Sequence, residues 1–324
     1  MSEEESGQRL DRVVAAQCPE LSRTRVQELV DEGLARLNGK TAKGSHKVRK
    51  GDVIEVMAQE RPALHAEAEN IPLEVLYEDA DVLAVNKPAG MSVHAGAGNS
   101  RGTLVNALLG RGQTLSRGGD ALRPGIVHRL DKETSGIVLV AKNDFAHARL
   151  SEQFQQRTIH KIYIALVQGE LKEEHGRVEL EIARDPKRRT RMTAERAGAL
   201  ANARKARTDW RVLCRIDTTS LVEVDLHTGR THQIRVHFAA LRHPVVGDTL
   251  YGASEKLHVG RTTLPSLGRN FLHATKIAFA QPRTGEAIQL TAPLPDELRA
   301  YLARLAALVG DSPARIDAAL KGFL

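Results

Sequence analysis

The segment Arg123-Pro124-Gly125-Ile126-Val127-His128-Arg129-Leu130-Asp131-Lys132-Glu133-Thr134-Ser135-Gly136 packs charge densely and runs straight into the apolar stretch Ile137-Val138-Leu139-Val140-Ala141. A carboxylate at the mouth of a buried strand has a rigid base and an open side, which suits it to general acid/base or nucleophilic work. On spacing alone Asp131 is either that carboxylate or the partner of Arg129 or Lys132 in a surface turn.

Other chemistries find less support. Cys18 and Cys214 are the only cysteines, too few for a thiolate zinc site. His227, His232 and His237 recur every five residues, a spacing that spreads them around a helix or across the faces of a strand, so a shared metal is not expected. Gly96-Ala97-Gly98 lacks the strand-turn-helix context of a dinucleotide loop. A pair of carboxylates acting as a glycosidase, Asp131 with Glu133, is weak, because such enzymes place two carboxyls roughly 5–9.5 Å apart across a sugar.

The elements around these residues read as follows. A helix begins near Leu21, with Ser22 as N-cap, Val26, Leu29 and Val30 on one face and Gly33 at its end. Ala35 to Leu37 and Asp52 to Val56 are extended, with Asn38-Gly39 as a tight turn. Val82 to Val85, Ile137 to Ala141, Ile162 to Val167 and Leu221 to Leu226 are strand-like runs; Asp144 to Gln156 and Thr231 to Arg242 are helical, the latter stopping before Pro244. Alternation places Lys161, Tyr163 and Ala165 on one strand face. Leu298, Tyr301, Leu302 and Leu305 mark one further helix as core packing. The fold class expected is α+β, with a small domain over 7–58, a linker over 59–70, a large domain over 71–310, and a tail over 311–324 with no assignable role.

The charge is +7, with 47 basic and 40 acidic residues, a balance that favours a polyanion partner. Between Leu21 and Lys50 there are eight basic residues, Arg23, Arg25, Lys40, Lys43 and Lys47 among them, against three acidic. Such a face fits phosphate contacts. A second cluster, Arg184, Lys187, Arg188, Arg189 and Arg191 with Arg204, Lys205 and Arg207, reads as an arm that closes on phosphates or as a solvated loop. Four tyrosines, six phenylalanines and one tryptophan are too few for a row of stacked bases. The acidic N-terminus and the lack of any long apolar stretch lead to the expectation of a cytoplasmic protein without membrane association.

The run His128-Arg129-Leu130-Asp131-Lys132-Glu133-Thr134-Ser135-Gly136 closely resembles the signature of RluA-type pseudouridine synthases. The resemblance continues through Asn86-Lys87-Pro88-Ala89-Gly90, Val93 to Asn99, Lys161 to Val167, Thr228 to His237, Gly247-Asp248-Thr249-Leu250-Tyr251-Gly252 and Leu272-His273-Ala274. The N-terminal module resembles the S4-like RNA-binding domain that RluD-like members carry. The resemblance implies the pseudouridine synthase fold: a mixed, largely antiparallel sheet flanked by helices, behind a small α/β domain.

It further implies a catalytic group of Asp131 as nucleophile, Tyr163 as the ring against the target base and Arg235 as the aspartate's partner. Arg129 would occupy the space of a flipped nucleotide, with His128, Lys161 and Arg230 as further substrate contacts. The implied substrate is 23S ribosomal RNA at the helix 69 loop, with other ribosomal or transfer RNA uridines as the alternative branch. The implied enzyme is a monomer that uses no cofactor, because isomerisation transfers no electron or phosphate. A non-catalytic ribosome-assembly factor is the alternative of another class; the intact set of Asp131, Tyr163 and Arg235 argues against it.

Overall fold

The computed structural model describes residues 5–18, 23–57, 67–95, 101–116, 123–188, 190–199, 202–259 and 262–323. The chain divides into two compact units, Met1–Leu64 and His65–Leu324.

In the first unit, α1 (Leu10–Gln17) and α2 (Arg23–Asp31) pack on a three-stranded antiparallel sheet of β1 (Ala35–Leu37), β2 (Lys40–Thr41) and β3 (Ile54–Val56), in the order β2-β1-β3. Asn38 and Gly39 both take positive φ, as a two-residue reversal between Leu37 and Lys40 requires. The core is Leu10, Val13, Val14, Val26, Leu29, Val30, Ala35, Leu37 and Val48. Helix α1 and strand β2 are additions to the sequence reading. Leu21 and Ser22, the expected entry to α2, lie outside the described residues.

The second unit is built on a nine-stranded sheet. Its elements in chain order are β4 (Glu74–Glu78), β5 (Val82–Lys87), α3 (Leu104–Gly110), β6 (Ser135–Ala141), α4 (Asp144–Gln156), β7 (His160–Gln168), β8 (His175–Val178), β9 (Glu181–Arg184), β10 (Met192–Glu195), β11 (Thr208–Ile216), β12 (Thr219–Leu226), α5 (Gln233–Ala240), β13 (Leu257–Val259), β14 (Thr262–Leu264), β15 (Leu272–Ala280), β16 (Ala287–Thr291), α6 (Asp296–Val309) and α7 (Pro313–Leu320). The order is β4-β5-β6-β15-β7-β12-β11-β8, with β16 also on β15. Among the described strands only β6 and β15 run parallel; the other pairs are antiparallel, so the sheet is mixed and largely antiparallel, as expected.

Every residue of β6 is buried, which explains its continuous apolar run: the strand is covered on both faces. Gly136 has φ +118°, and a β-carbon there would lie 2.2 Å from the Ala274 carbonyl oxygen, so only glycine lets β6 approach β15 so closely. Helix α4 starts where the Asn143 side chain accepts the Ala146 N–H. The hairpin β9–β10 pairs Arg184 with Met192 and carries Lys187, Arg188 and Arg191 of the second basic cluster between its strands. It rests on α5 through a small cluster of Ile182, Ala206, Val236 and Tyr251.

Of the linker expected over 59–70, residues 59–66 lie outside the described residues, and the rest packs on α3: Glu69 N–H donates to Asn106 O at 3.0 Å, and Asn106 Nδ2 donates to Glu67 O at 2.7 Å. Within the expected tail over 311–324, Pro313–Leu320 form α7, whose Ile316 and Leu320, with Phe323 beyond it, are buried in the main core. No described helix is long and apolar enough to cross a membrane.

Candidate active site

Asp131 stands immediately before β6, and its turn is closed by the Thr134 N–H donating to the Asp131 carbonyl at 3.1 Å. The next carbonyl, Lys132 O, accepts from Gly90 N at 2.9 Å and from Lys87 Nζ at 3.2 Å. Lys87 is fully buried, and its ammonium also donates to Pro88 O and Met91 O. Burial, with Arg269 nearby, pushes Lys87 down to about 7. This lysine fastens the 87–91 turn to the Asp131 loop. Behind the loop, Ser135 Oγ receives Arg269 Nη2 at 2.9 Å and contacts His273 Nδ1 at 2.8 Å.

The Asp131 side chain opens into a cavity of about 420 Å³, within the roughly 300–1,000 Å³ typical of small-molecule sites. Tyr163 on β7 and Arg235 on α5 line the same cavity, as do Arg129, His128, Lys161 and Arg230. The structure therefore brings together all seven cavity residues singled out in the sequence.

Arg235 is 8% exposed and divides its guanidinium between two carboxylates. Nε and Nη2 donate to Asp248 at 2.6 and 2.9 Å, and Nη1 donates to Asp131 Oδ2 at 3.2 Å. Against burial, Asp248 and then Asp131 hold Arg235 protonated, above its usual range. Asp248, which carried no assigned role, is thus the nearer partner, and two carboxylates share one cation. Its only sequence signal was an acid set between Gly247 and Gly252 in a turn. Gly247 itself has φ +80°, with the Arg269 carbonyl 2.0 Å from where a β-carbon would sit.

Tyr163 is buried beside Asp131, and burial with that carboxylate pushes its hydroxyl above the usual tyrosine range. It stays a phenol at neutral pH, which favours stacking on a base over proton removal. Lys161 is pushed down to about 8 by burial, with Arg157 adding and Asp225 opposing. His128 lines the cavity, but its Nε2 accepts the Leu139 N–H at 2.8 Å and its ring packs on Phe154 at 4.7 Å. Burial pushes it down to about 3, so it is a neutral strut rather than a substrate donor through Nε2.

Arg129 is exposed at the rim, and Arg157, in left-handed conformation at the C-terminus of α4, joins it in lining the cavity. Arg230 is lowered from its usual range by burial and by Arg204 and Arg157. Arg157 went unread because a single arginine past a helix end carries no pattern.

The three histidines take separate partners: His227 meets Asp209, His232 meets Tyr251 and His237 meets Thr208. No cluster of metal-ligating side chains occurs among the described residues. Among the proposed backbone contacts, Lys40, Lys43, Lys47 and Arg188 are exposed. Arg189 lies outside the described residues, as do the side chains of Arg23 and Arg25 in α2.

Comparison with known proteins places these features in a family. Residues 81–240 match the RNA pseudouridylate synthase family, and residues 8–54 match the S4 domain. A ribosomal large subunit pseudouridine synthase D of Xanthomonas campestris pv. campestris is 42% identical over 93% of this chain and 89% of its own length. An uncharacterized RNA pseudouridine synthase of Bacillus subtilis is 41% identical over 94% and 96%. The solved structure of human RNA pseudouridylate synthase domain containing 4 superposes with a TM-score of 0.57 at 26% identity, over 72% of this chain and 92% of that one. The cavity that Asp131 opens into therefore lies in a member of the RNA pseudouridine synthase family, an enzyme that carries an S4 domain ahead of its synthase domain.

Proposed function

We propose that this enzyme isomerises specific uridines of large-subunit, 23S ribosomal RNA, in the helix 69 loop, with Asp131 as the reacting carboxylate. The observation that carries the target is the likeness, over most of both chains, to proteins named ribosomal large subunit pseudouridine synthase D. The reaction breaks the N1–C1′ bond, turns the uracil and joins C5 to C1′; the C5 proton is lost and N1 gains one. No atom is gained or lost overall, so one carboxylate suffices, whether it attacks C1′ or assists elimination to a glycal.

The geometry supports these roles. Among the described residues Asp131 is paired with a guanidinium on one oxygen, Oδ2, at the wall of a cavity large enough to enclose a nucleotide base and sugar. Tyr163 offers a phenol face to the base. Arg129, Arg157, Lys161 and Arg230 gather at the cavity, and Arg129, Arg157 and Arg230 have no ion pair with a carboxylate among the described residues. Like charges held together without counter-ions favour a polyanion, and phosphates flanking an extruded nucleotide supply one. Arg129 then fills the space that the base vacates. Lys40, Lys43 and Lys47, with Arg23 and Arg25, contact the RNA backbone from the S4 domain, and Arg188 and Arg189 do so from the arm.

The test is modification in vitro. Purified enzyme is incubated with large-subunit RNA, small-subunit RNA and transfer RNA, and pseudouridine is mapped at single-nucleotide resolution. Product in the helix 69 loop supports the proposal; product only in transfer or small-subunit RNA overturns it.

A further inference from the structure

His232 lines the same cavity as Asp131 and caps α5 with φ +56°, a left-handed conformation that costs energy in a residue with a β-carbon. Its Nε2 lies 3.9 Å from Asp131 Oδ1, the oxygen that Arg235 leaves uncovered. Its Nδ1 lies 2.8 Å from the hydroxyl of Tyr251, whose ring stands edge-on to the imidazole at 89°.

The protons along this chain can be assigned by elimination. Tyr251 is 3% exposed and its oxygen also meets the backbone N–H of Met192 at 2.9 Å. A backbone N–H only donates, so the phenol oxygen accepts there; its own buried proton then needs an acceptor, and among the described residues Nδ1 is the hydrogen-bond acceptor that it meets. Burial pushes Tyr251 up to about 12, so that proton is retained at neutral pH. Burial, with Arg235 and Arg129 adding and Asp131 and Asp248 opposing, pushes His232 below its ordinary range. The ring is therefore neutral and holds one proton. With Nδ1 accepting from Tyr251, the proton sits on Nε2, facing the carboxylate.

We propose that His232 is a positioning residue for Asp131: a neutral imidazole whose Nε2–H is aimed at Oδ1, with its tautomer set by the Tyr251 hydroxyl. Arg235 fixes one carboxylate oxygen and His232 the other, so the carboxylate keeps a single rotamer while the base closes the cavity. At 3.9 Å the contact is electrostatic, and an approach of about 1 Å makes it a hydrogen bond. Met192 opens β10 one residue after Arg191, whose guanidinium lies 5.2 Å from the Tyr251 ring centroid. The basic arm and Asp131 are thereby joined through one phenol.

The inference rests on Asp131 as the reacting carboxylate, and its test separates the two. Full-length His232→Leu, His232→Gln and Tyr251→Phe enzymes are compared with wild type for single-turnover rate and RNA affinity, using a large-subunit RNA transcript. His232→Leu is expected to lose about 30–100-fold in rate with affinity within about threefold, and Tyr251→Phe about 5–10-fold. His232→Gln, which restores an N–H donor, is expected to recover about tenfold over His232→Leu.

Nitrogen-15 shifts of the His232 ring read the tautomer without turnover: a protonated Nε2 in wild type and a mixture in Tyr251→Phe are expected. A protonated Nδ1 in wild type overturns the proposal, as does a His232→Gln enzyme no faster than a folded His232→Leu. An active Asp131→Asn enzyme would instead overturn the reading of Asp131 and leave the tautomer assignment standing.

Discussion

Asp81 and Asp131 are both held by arginines, and they are held in opposite ways. Asp81, immediately before β5, is 1% exposed and has both oxygens filled. Arg283 donates to it twice, at 2.7 and 3.0 Å, Asn143 at 2.8 Å and Gln281 at 3.2 Å. Asp131 receives one side-chain hydrogen bond among the described residues, from an arginine that gives its two shorter bonds to Asp248. A saturated carboxylate can only stabilise the fold, whereas one left partly unsatisfied beside a cavity keeps lone pairs for a substrate. The role proposed for Asp131 draws on the bonds that it does not make among the described residues.

The largest effect that could break this comparison is at Asp131. Asp131→Asn keeps the shape and removes the charge, so product should fall at least ~10⁴-fold while RNA affinity stays within a few fold. Gel-shift binding and a pseudouridine assay on one preparation check both halves. A variant with appreciable turnover would place Asp131 beside Asp81 as a structural group.

Next in size is Asp248→Asn. Among the described residues it leaves Asp131 as the carboxylate partner of buried Arg235, so the guanidinium is drawn toward Asp131 and fixed less well. A loss of about 100-fold in turnover is expected, with KM changed little, because the damage lies in orientation rather than RNA contact. Steady-state kinetics on mapped RNA measures the split; a change confined to KM would contradict it.

Much of this scaffold was legible, for physical reasons that also mark where legibility stops. Strands β5, β6 and β7 announce themselves because both faces are covered and their apolar runs are continuous. Helix α4 was readable from its start at Asp144 to its end at Gln156, since Asn143 caps a long amphipathic stretch. By contrast, α3 is seven residues long and buried along most of its length, so it has no polar face to give a period. Strand β11 mixes Asp209, Arg211 and Arg215 into its apolar residues and was missed for that reason.

The site divides in the same manner. Asp131 could be suspected from its loop, but its link to Arg235 spans 104 positions and came from family likeness. The bonds from Arg235 to Asp248 and from His232 to Tyr251 depend on a turn folding back beside α5, which no periodicity encodes.

Asp81 supplies the converse prediction. Its carboxyl is pulled down to about 2, chiefly by Arg283 against burial, with Asn143 and Gln281 assisting. A folded pKa below the unfolded value of about 3.8 means stability present above pH 4 and lost as pH falls through 2. Because the Arg283 side chain is 60% exposed, its pull is partly screened, and the contribution is about 1–2 kcal/mol. Asp81→Asn should lower stability by that amount at pH 7 and flatten the loss between pH 4 and 2, with turnover per folded molecule unchanged. Denaturant unfolding across pH measures it; a fall in turnover without a fall in stability would erase the distinction between the two aspartates.

The smallest effect concerns the arginines rather than the aspartates. Arg283 is neutralised by a carboxylate of the protein itself, whereas Arg157 lines the cavity with no ion pair to a carboxylate among the described residues. If RNA phosphate is the missing counter-ion, Arg157→Ala should weaken binding by several fold at low salt. It should also reduce the slope of log affinity against log salt by about 0.7–0.9, the value for one phosphate contact. Arg283→Ala should leave that slope unchanged. Because Arg157 already tolerates a left-handed backbone at the C-terminus of α4, a parallel Arg157→Gly variant relieves any conformational cost. Both Arg157 variants must show the same slope, since the slope counts the charge lost and not the strain removed. Equal slopes in the wild type and both Arg157 variants would mean that this arginine meets no phosphate, and that the cations at the cavity are balanced some other way.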